Sequence, residues 1–290
     1  MSEAISIVMP AFRAEDVIVD AVKSVLGQSF ADWRLIVVAD DGADYELLLG
    51  RAGLNDGRIR YIDSGGVGTG ASRARNAGLG VIDTAYAAVL DADDRFQPEK
   101  LARLVGALAE TPIVSTAITD VTPAGKPLRT VGVGADRLLT AGAHKFVNFS
   151  MDSMIGWDRR RVDGRYDPTL PNMNDLDFLL QLYRTSAASF HIGTPLHDYV
   201  KQPASLSNGE GFTDRMIAAK TTLLERLTRG DYGFADPTAA EGLGRFLETS
   251  LAAERSYPAA LAAQPGLLFE DHLEPRLRAA ATSASTGTAG

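Results

Sequence analysis

The feature that most constrains this chain is an apolar run that stops abruptly in carboxylates: Tyr86-Ala-Ala-Val-Leu90 followed by Asp91-Ala-Asp-Asp-Arg95. Tyr86 to Leu90 has no polar alternation and no turn signal, so it reads as a strand buried on both faces. Asp91, Asp93 and Asp94 are then delivered at the carboxyl end of a strand, where open α/β sheets place their ligands. Carboxylates this close repel one another, and a cation, hydrogen bonds or proton uptake must offset the repulsion. Hard divalent ions such as Mg²⁺ or Mn²⁺ take oxygen ligands and usually come with substrate phosphates. The competing reading is a solvated loop whose carboxylates cap a helix near Pro98.

Composition narrows the class. With 290 residues, 45% hydrophobic and 23% charged, the chain can bury a substantial core, and no apolar run approaches the length of a membrane span. A formal net charge of −8 disfavours a general grip on nucleic acid while leaving room for a local basic pocket. The absence of cysteine excludes a disulfide framework and a thiolate site, which fits a reducing compartment. The first ten residues run into a strand and lack the regions of a signal peptide. The expectation is a cytoplasmic protein, with peripheral attachment to the inner face of the membrane left open.

Taken in order, Ile5 to Met9 is strand-like and stopped by Pro10, and Glu15 to Leu26 places Val17, Ile18, Ala21, Val22 and Val25 on one helical face. Arg34 to Ala39 is a second continuous apolar strand ending in Asp40-Asp-Gly42, and Ile59 to Ile62 is a short third. Unalternating strands call for a sheet covered on both sides, the parallel-sheet signature. Gly65-Gly-Val-Gly-Thr-Gly70 leads to a helix from about Ala71 to Ile82. Those glycines match neither dinucleotide nor triphosphate fingerprints, so a hinge or close-packing role is the stronger reading. A helix from Pro98 carries Leu101, Leu104, Val105 and Leu108, and Ile113 to Ile118 is again strand-like.

Further on the pattern loosens. Asp120 to Ala141 suggests loops or edge strands, and Phe146 to Trp157 has no clean period. Asn172 to Asp177 opens a helix carrying Leu176, Leu179, Leu180 and Tyr183, with Asn172 or Asn174 as cap and Asp175 in the first turn. Phe190 to Ile192 is a short strand. Helices are expected over Thr213 to Thr228 and Ala239 to Ser256, and Ala279 to Gly290, lacking an apolar anchor, is expected to be disordered.

These motifs, in this order, resemble a family 2 glycosyltransferase of the GT-A fold. Ser6 to Phe12 with Ala21 to Phe30 is similar to that family's first strand and helix, and Asp40-Asp-Gly42 to its second-strand motif. Ala74-Arg-Asn-Ala-Gly78 resembles its characteristic helix motif, and Asp91-Ala-Asp-Asp94 its metal-binding DxD region. The resemblance is strong over residues 5 to 100 and weaker from there to about 207. It implies a mostly parallel central sheet flanked by helices, with a GT-A domain over 1–210, divided into a nucleotide-binding half (1–100) and an acceptor-side half (101–210). A helical appendage over 211–278, a source of homo-oligomer contacts, and a tail over 279–290 would follow.

The resemblance also implies roles. Ala11 lies at the nucleotide-binding edge, Asp41 recognises the base, usually uracil, Asp91 lies near the donor ribose and Asp93 binds Mn²⁺ or Mg²⁺. Arg73 or Arg75 stabilises the diphosphate, or the arginine instead holds the Asp91 loop in place. Asn174-Asp175-Leu-Asp177 resembles a motif commonly Glu-Asp-x-Asp, whose second acidic residue is the general base of inverting members; Asn174 departs from it and Asp175 is retained, with Asp177 the next candidate. Tyr199 to Ser207 is similar to Tyr-Arg-x-His-Pro-x-Ser-x-Ser, with Gln202 where histidine is usual. The metal or diphosphate contact then falls to water, Gln202, Lys201 or His197. The implied reaction is metal-dependent, inverting transfer of a hexosyl group from a nucleotide diphosphate sugar to a hydroxyl of a carbohydrate, lipid-linked or small-molecule acceptor.

Other residues have plainer readings. Trp157 could stack on a sugar, yet a core anchor suits it at least as well. Asp158 to Arg161 reads as a solvated loop, and His144, His191 and His197 lack metal-ligand spacing. Two rivals remain: a nucleotidyltransferase, disfavoured by the missing lysine-rich triphosphate loop, and a non-catalytic sugar-nucleotide-binding protein, motivated by Asn174 and Gln202.

Overall fold

The computed structural model describes residues 4–150, 152–201 and 211–286, the last five of these as backbone only. The chain begins with β1 (Ile5–Ala11), α1 (Ile18–Leu26), β2 (Trp33–Ala39), α2 (Tyr45–Arg51), β3 (Ile59–Asp63), α3 (Ala71–Val81) and β4 (Tyr86–Val89). It continues with β5 (Arg95–Phe96), α4 (Lys100–Leu108), β6 (Ile113–Val121), β7 (Pro127–Val131), β8 (Arg137–Thr140), α5 (Ala141–Val147) and β9 (Gly156–Asp158). Then come α6 (Asn174–Leu182), β10 (Ala188–Val200), α7 (Phe212–Arg229), α8 (Ala239–Ala263) and α9 (Phe269–Thr286).

The strands form one sheet in the order β3-β2-β1-β4-β9-β6-β10-β5, with β7 against β6 and β8 against β10. β1 pairs parallel with both β2 and β4, and β6 pairs parallel with β10, while β9 enters antiparallel between β4 and β6. Alternate residues of β1 serve opposite cores. Ile5, Ile7 and Met9 pack in the cluster that includes Val22, Val25, Leu101 and Leu104 of α1 and α4. Val8 packs in the other, with Ala74 and Leu79 of α3 and with residues of α6 to α9. This two-sided burial is what the unalternating strands required.

Strand order reverses between β1 and β4: the chain leaves β1 toward β2 and β3, then returns to β1's other side. In an open α/β sheet that reversal opens a crevice at the carboxyl ends of the two strands. Ala11 ends one of them and Asp91 follows the other.

Several expectations are corrected. The strand expected at Phe190 to Ile192 is the long β10, whose register shifts near Pro195 let it accommodate a proline that reads locally as a stop. The unperiodic Phe146 to Trp157 contains the end of α5 and the start of β9. Three helices, α2, α5 and α9, are not expected individually from the sequence: α2 and α5 are only seven residues long each, and α9 carries Pro275. α8 likewise runs past Pro258 to Ala263. The segment from Ala279, expected as a disordered tail, continues α9 to Thr286, as its alanines favour; 287–290 lie outside the described residues. No helix among the described residues is long and apolar enough to cross a membrane.

Candidate active site

At the β1–β2 edge, Asp40 and Asp41 divide the work. Asp40 is buried and accepts from Ser64 Oγ (2.5 Å), Thr69 Oγ1 (2.5 Å), Thr69 N (3.0 Å) and Gly70 N (2.9 Å). Burial opposes its charge, but these donors together lower its pKa. The glycine-rich segment is therefore folded around a carboxylate of the protein, and Gly70 enters α3 with φ 96°, a left-handed value that suits glycine. Asp41 is partly exposed. Its oxygens accept from Arg13 N (2.5 Å), Ala43 N (3.0 Å) and Tyr45 Oη (2.8 Å). Exposed Phe12 and Val67 lie beside Gly68 and Gly42, bordering Asp41 with apolar surface. Ala11 itself is buried, and its carbonyl accepts from Asp40 N at 2.8 Å.

At the end of β4, a turn in which Asp94 N donates to Asp91 O (3.0 Å) separates three carboxylates. Asp91 receives Arg75 Nη2 at 2.7 Å. Asp94 points inward, accepting from Val200 N at 2.9 Å with His197 Nε2 at 3.2 Å. Burial lowers the His197 pKa to about 3, so this contact is a hydrogen bond to a neutral imidazole. Asp93 has no salt bridge among the described residues. Burial, then the charges of Asp94 and Asp91, raise its pKa to about 7. Asp93, next to Asp91 and without a cationic side-chain partner among the described residues, has the oxygen chemistry that suits a divalent cation. Among the described residues no cluster of three or more metal-binding side chains assembles, so an ion held by Asp93 would take its remaining oxygens from water and substrate phosphates.

Arg75 is the hub of the crevice. It is 7% exposed, with its guanidinium 5.2 Å from the Tyr166 ring centroid. Burial works against its charge, but Asp91, Tyr166 and Asp175 outweigh that and raise its pKa. The next residue, Asn76, clasps Tyr166 through both backbone groups: Asn76 Nδ2 donates to Tyr166 O (2.7 Å) and Tyr166 N donates to Asn76 Oδ1 (3.0 Å). Ser72 Oγ accepts from Asn174 Nδ2 (2.7 Å) and donates to Asp167 O (3.2 Å). One face of α3 thus holds the Asp91 loop and the segment leading into α6. Asn174, at the departure from the usual glutamate, is a tie between α3 and α6.

Asp175 lies in the first turn of α6, its Oδ1 accepting from Leu176 N at 3.0 Å. Neither Asn172 nor Asn174 caps this helix. The cap position is Met173, at φ 57°, with no side-chain hydrogen bond. Asp177 points elsewhere: it is buried and accepts from Arg226 Nη1 (2.9 Å), Tyr232 Oη (2.6 Å) and Gln181 Nε2 (2.8 Å), which makes it a tie to α7. Trp157 is 2% exposed and meets Phe178 edge-on at 5.0 Å, a core anchor with no face free for a sugar. Arg73 is exposed and has no salt bridge among the described residues. Lys201 Nζ donates to Glu270 Oε1 at 2.6 Å, and Gln202 lies outside the described residues.

The position of α3 depends on Gly78. A Cβ there would stand 2.4 Å from Val8 Cγ1 and 3.1 Å from Val38 Cγ2, so the helix rests directly on β1 and β2. Gly78→Ala is expected to destabilise the fold by about 1–3 kcal/mol, the usual cost of overpacking, and urea unfolding measures it. An unchanged midpoint would show that α3 can shift freely.

Sequence reasoning assigned no role to Tyr166, Ser72 or Glu270. The Arg75-Asn76 pair was the available signal for Tyr166, since an asparagine on the covered side of a helix commonly spends its amide on backbone groups. Nothing local pointed to Glu270, which reaches the site from α9.

Residues 6–133 match the family described as glycosyl transferase family 2. The match covers less than half of the chain. Among curated relatives of the family 2 segment is WfgD of Escherichia coli, "UDP-Glc:alpha-D-GlcNAc-diphosphoundecaprenol beta-1,3-glucosyltransferase". It is 35% identical over 100 residues, 33% of this chain and 38% of that protein. ExoO of Rhizobium meliloti, a succinoglycan biosynthesis protein, is 36% identical over 101 residues, 35% of this chain and 28% of that one. The matches thus span only about a third of these relatives' length. Solved structures extend the likeness in fold beyond the family 2 segment. S. aureus TarS 1-349 in complex with UDP-GlcNAc superposes with a TM-score of 0.67 at 14% identity, over 96% of this chain and 79% of that one. The mannosyltransferase PcManGT of Pyrobaculum calidifontis, in complex with GDP-Man and Mn²⁺, has a TM-score of 0.59 at 13% identity, over 99% of this chain and 81% of that one. The fold is of the GT-A type, a mostly parallel sheet flanked by helices with a helical C-terminal region.

Proposed function

We propose that the chain is a metal-dependent, inverting glycosyltransferase that moves a hexosyl group from a nucleotide diphosphate sugar, first of all a UDP-sugar, to an acceptor hydroxyl. The observation that carries this reading is Arg75: one buried guanidinium bonded to Asp91 on the donor side and raised in pKa by Asp175 on the α6 side. This arrangement supports a crevice in which the carboxylate loop would bind the metal and a separate carboxylate would take the proton.

In this reading the base rests against Asp41 between Phe12 and Val67, and the ribose lies near Asp91. Asp93 would hold Mn²⁺ or Mg²⁺, which when bound neutralises charge growing on the departing diphosphate. Arg73, exposed on the first turn of α3, faces solvent where a phosphate can reach it, while Arg75 keeps the Asp91 loop in shape. Asp175 accepts the proton of the acceptor hydroxyl as its oxygen bonds to the anomeric carbon and the bond to the diphosphate breaks. One displacement inverts that carbon, with no covalent sugar intermediate.

The test incubates the protein with UDP- and GDP-sugars and Mn²⁺, with simple sugars and a polyprenyl-diphosphate sugar as acceptors, the latter suggested by the acceptor in WfgD's name. The expected result is metal-dependent release of nucleoside diphosphate together with an inverted glycosidic product. Metal-dependent binding of nucleoside diphosphates without transfer to any acceptor would favour a non-catalytic binding protein, and pyrophosphate release from a nucleoside triphosphate would favour nucleotidyl transfer.

A further inference from the structure

The strand end that braces the carboxylate loop is itself held from the far end of the chain. Lys201 directly follows Val200, whose N–H is bonded to Asp94, the neighbour of Asp93. The Lys201 ammonium donates to Glu270 Oε1 at 2.6 Å, stands 3.8 Å from Asp120 Oδ2 and lies 4.2 Å from the Tyr199 ring centroid. Glu270 is 8% exposed and also accepts from Ser150 Oγ at 3.0 Å. It sits in the first turn of α9, where the helix favours a negative charge. Asp120 is fully buried and neither of its oxygens has a hydrogen-bond partner among the described residues, so its charge is compensated through space, by Lys201 first and by Arg129 more weakly. Two carboxylates from different layers thus share one ammonium, and displacing that ammonium would leave Asp120 only the weaker influence of Arg129.

We propose that Glu270 is a positioning residue of the donor site: from the C-terminal helix it fixes Lys201, and through Lys201 and Val200 it fixes the Asp94 turn that presents Asp93. The proposal rests on the donor-site reading above. The coupling runs through contiguous hydrogen bonds and two peptide links, which is the physical kind of path that carries such effects. The helical appendage is then part of the donor site as well as a neighbour of it.

The experiment compares Glu270→Gln with Arg129→Met in the full chain. Arg129 fastens the same helix through Asp271 and Glu274 and is the weaker of the two cations whose charge reaches Asp120, so its loss loosens α9 while the Lys201–Glu270 pair stays in place. Glu270→Gln is expected to weaken Mn²⁺-dependent UDP binding, and to raise the KM for donor, by roughly 3- to 30-fold. Glu270→Asp should recover part of that loss, and Arg129→Met should lower the Tm while leaving UDP affinity within about 2-fold. Unchanged or tighter UDP binding by Glu270→Gln overturns the proposal, as does an equal loss in Arg129→Met, which would reduce Glu270 to general docking. If Glu270→Gln does not fold, Lys201→Arg replaces it: the same loss of affinity at an unchanged Tm supports the proposal, and no loss overturns it. Absence of UDP binding by the wild-type protein would refute the donor-site reading and this proposal with it, whereas binding unaffected by these variants refutes this proposal alone.

Discussion

Asp175→Asn is expected to lower turnover by roughly 100-fold or more, within the usual contribution of a general base, while the fold and donor affinity persist. Asparagine has nearly the same shape and can still accept from Leu176 N, but it cannot take a proton at neutral pH. Because Met173 occupies the cap position, the substitution removes no helix cap. The remaining cost is the loss of a negative charge in the first turn of α6, about 0.3–1 kcal/mol. Asp177→Asn supplies the contrast. That carboxylate is buried and accepts from three side chains, so its loss should appear first as instability, of about 1–3 kcal/mol. Kinetics at saturating donor and acceptor, with thermal unfolding and UDP titration of both variants, decide the matter. Near-wild-type turnover in Asp175→Asn would remove Asp175 from the proton-transfer role.

Asp93→Ala is expected to abolish most metal-dependent binding of UDP, by more than the roughly 10- to 100-fold that losing a mere outer-shell partner costs, without unfolding the chain. Burial and the charges of Asp94 and Asp91 hold the wild-type carboxyl near 7 instead of its ordinary 3.8. The folded protein therefore binds more protons at this group than the unfolded chain does between those values. The stability contribution of Asp93 is present below about 3.8 and is lost as pH rises through about 7. Removing the carboxylate should accordingly leave the metal-free Tm at pH 8 unchanged or raised. A cation reverses the balance because it must displace the proton. Mn²⁺-dependent UDP affinity should then fall as pH drops below about 7, and this pH dependence should vanish in Asp93→Ala. Calorimetry at pH 6 and 8 measures both effects, and unchanged metal-dependent affinity in the variant would release Asp93 from the ligand role.

The legible part of this chain was the part whose causes are local. Continuous apolar runs at Ile5, Leu35 and Tyr86 announce strands covered on both faces, because a strand with no polar alternation has no side to offer water. Their ends are visible for the same reason: Asp40 and Asp91 stand where the apolar runs stop. Gly78 was legible as part of a motif, and its close approach to Val8 supplies the physical cause.

What the tertiary structure alone decided was the direction in which each acidic residue points and who compensates it. Asp40 and Asp41 are consecutive in sequence, yet one is sealed beneath a glycine-rich turn and the other faces the crevice. Asp91, Asp93 and Asp94 form a single acidic cluster in sequence, but a turn directs Asp91 to Arg75 and Asp94 to Val200, leaving Asp93 without a salt bridge among the described residues. Asp175 and Asp177 lie two positions apart on a helix, which turns them to different faces: Asp177 is paired with Arg226, while Asp175 has no such partner among the described residues and adds its charge to the surroundings of Arg75. Lys201 is held by Glu270, 69 residues later in the chain. Charge compensation acts through space between segments that meet only on folding, so sequence alone determined the residue types available and where the sheet would deliver them, while packing decided which of them remained free to meet a ligand.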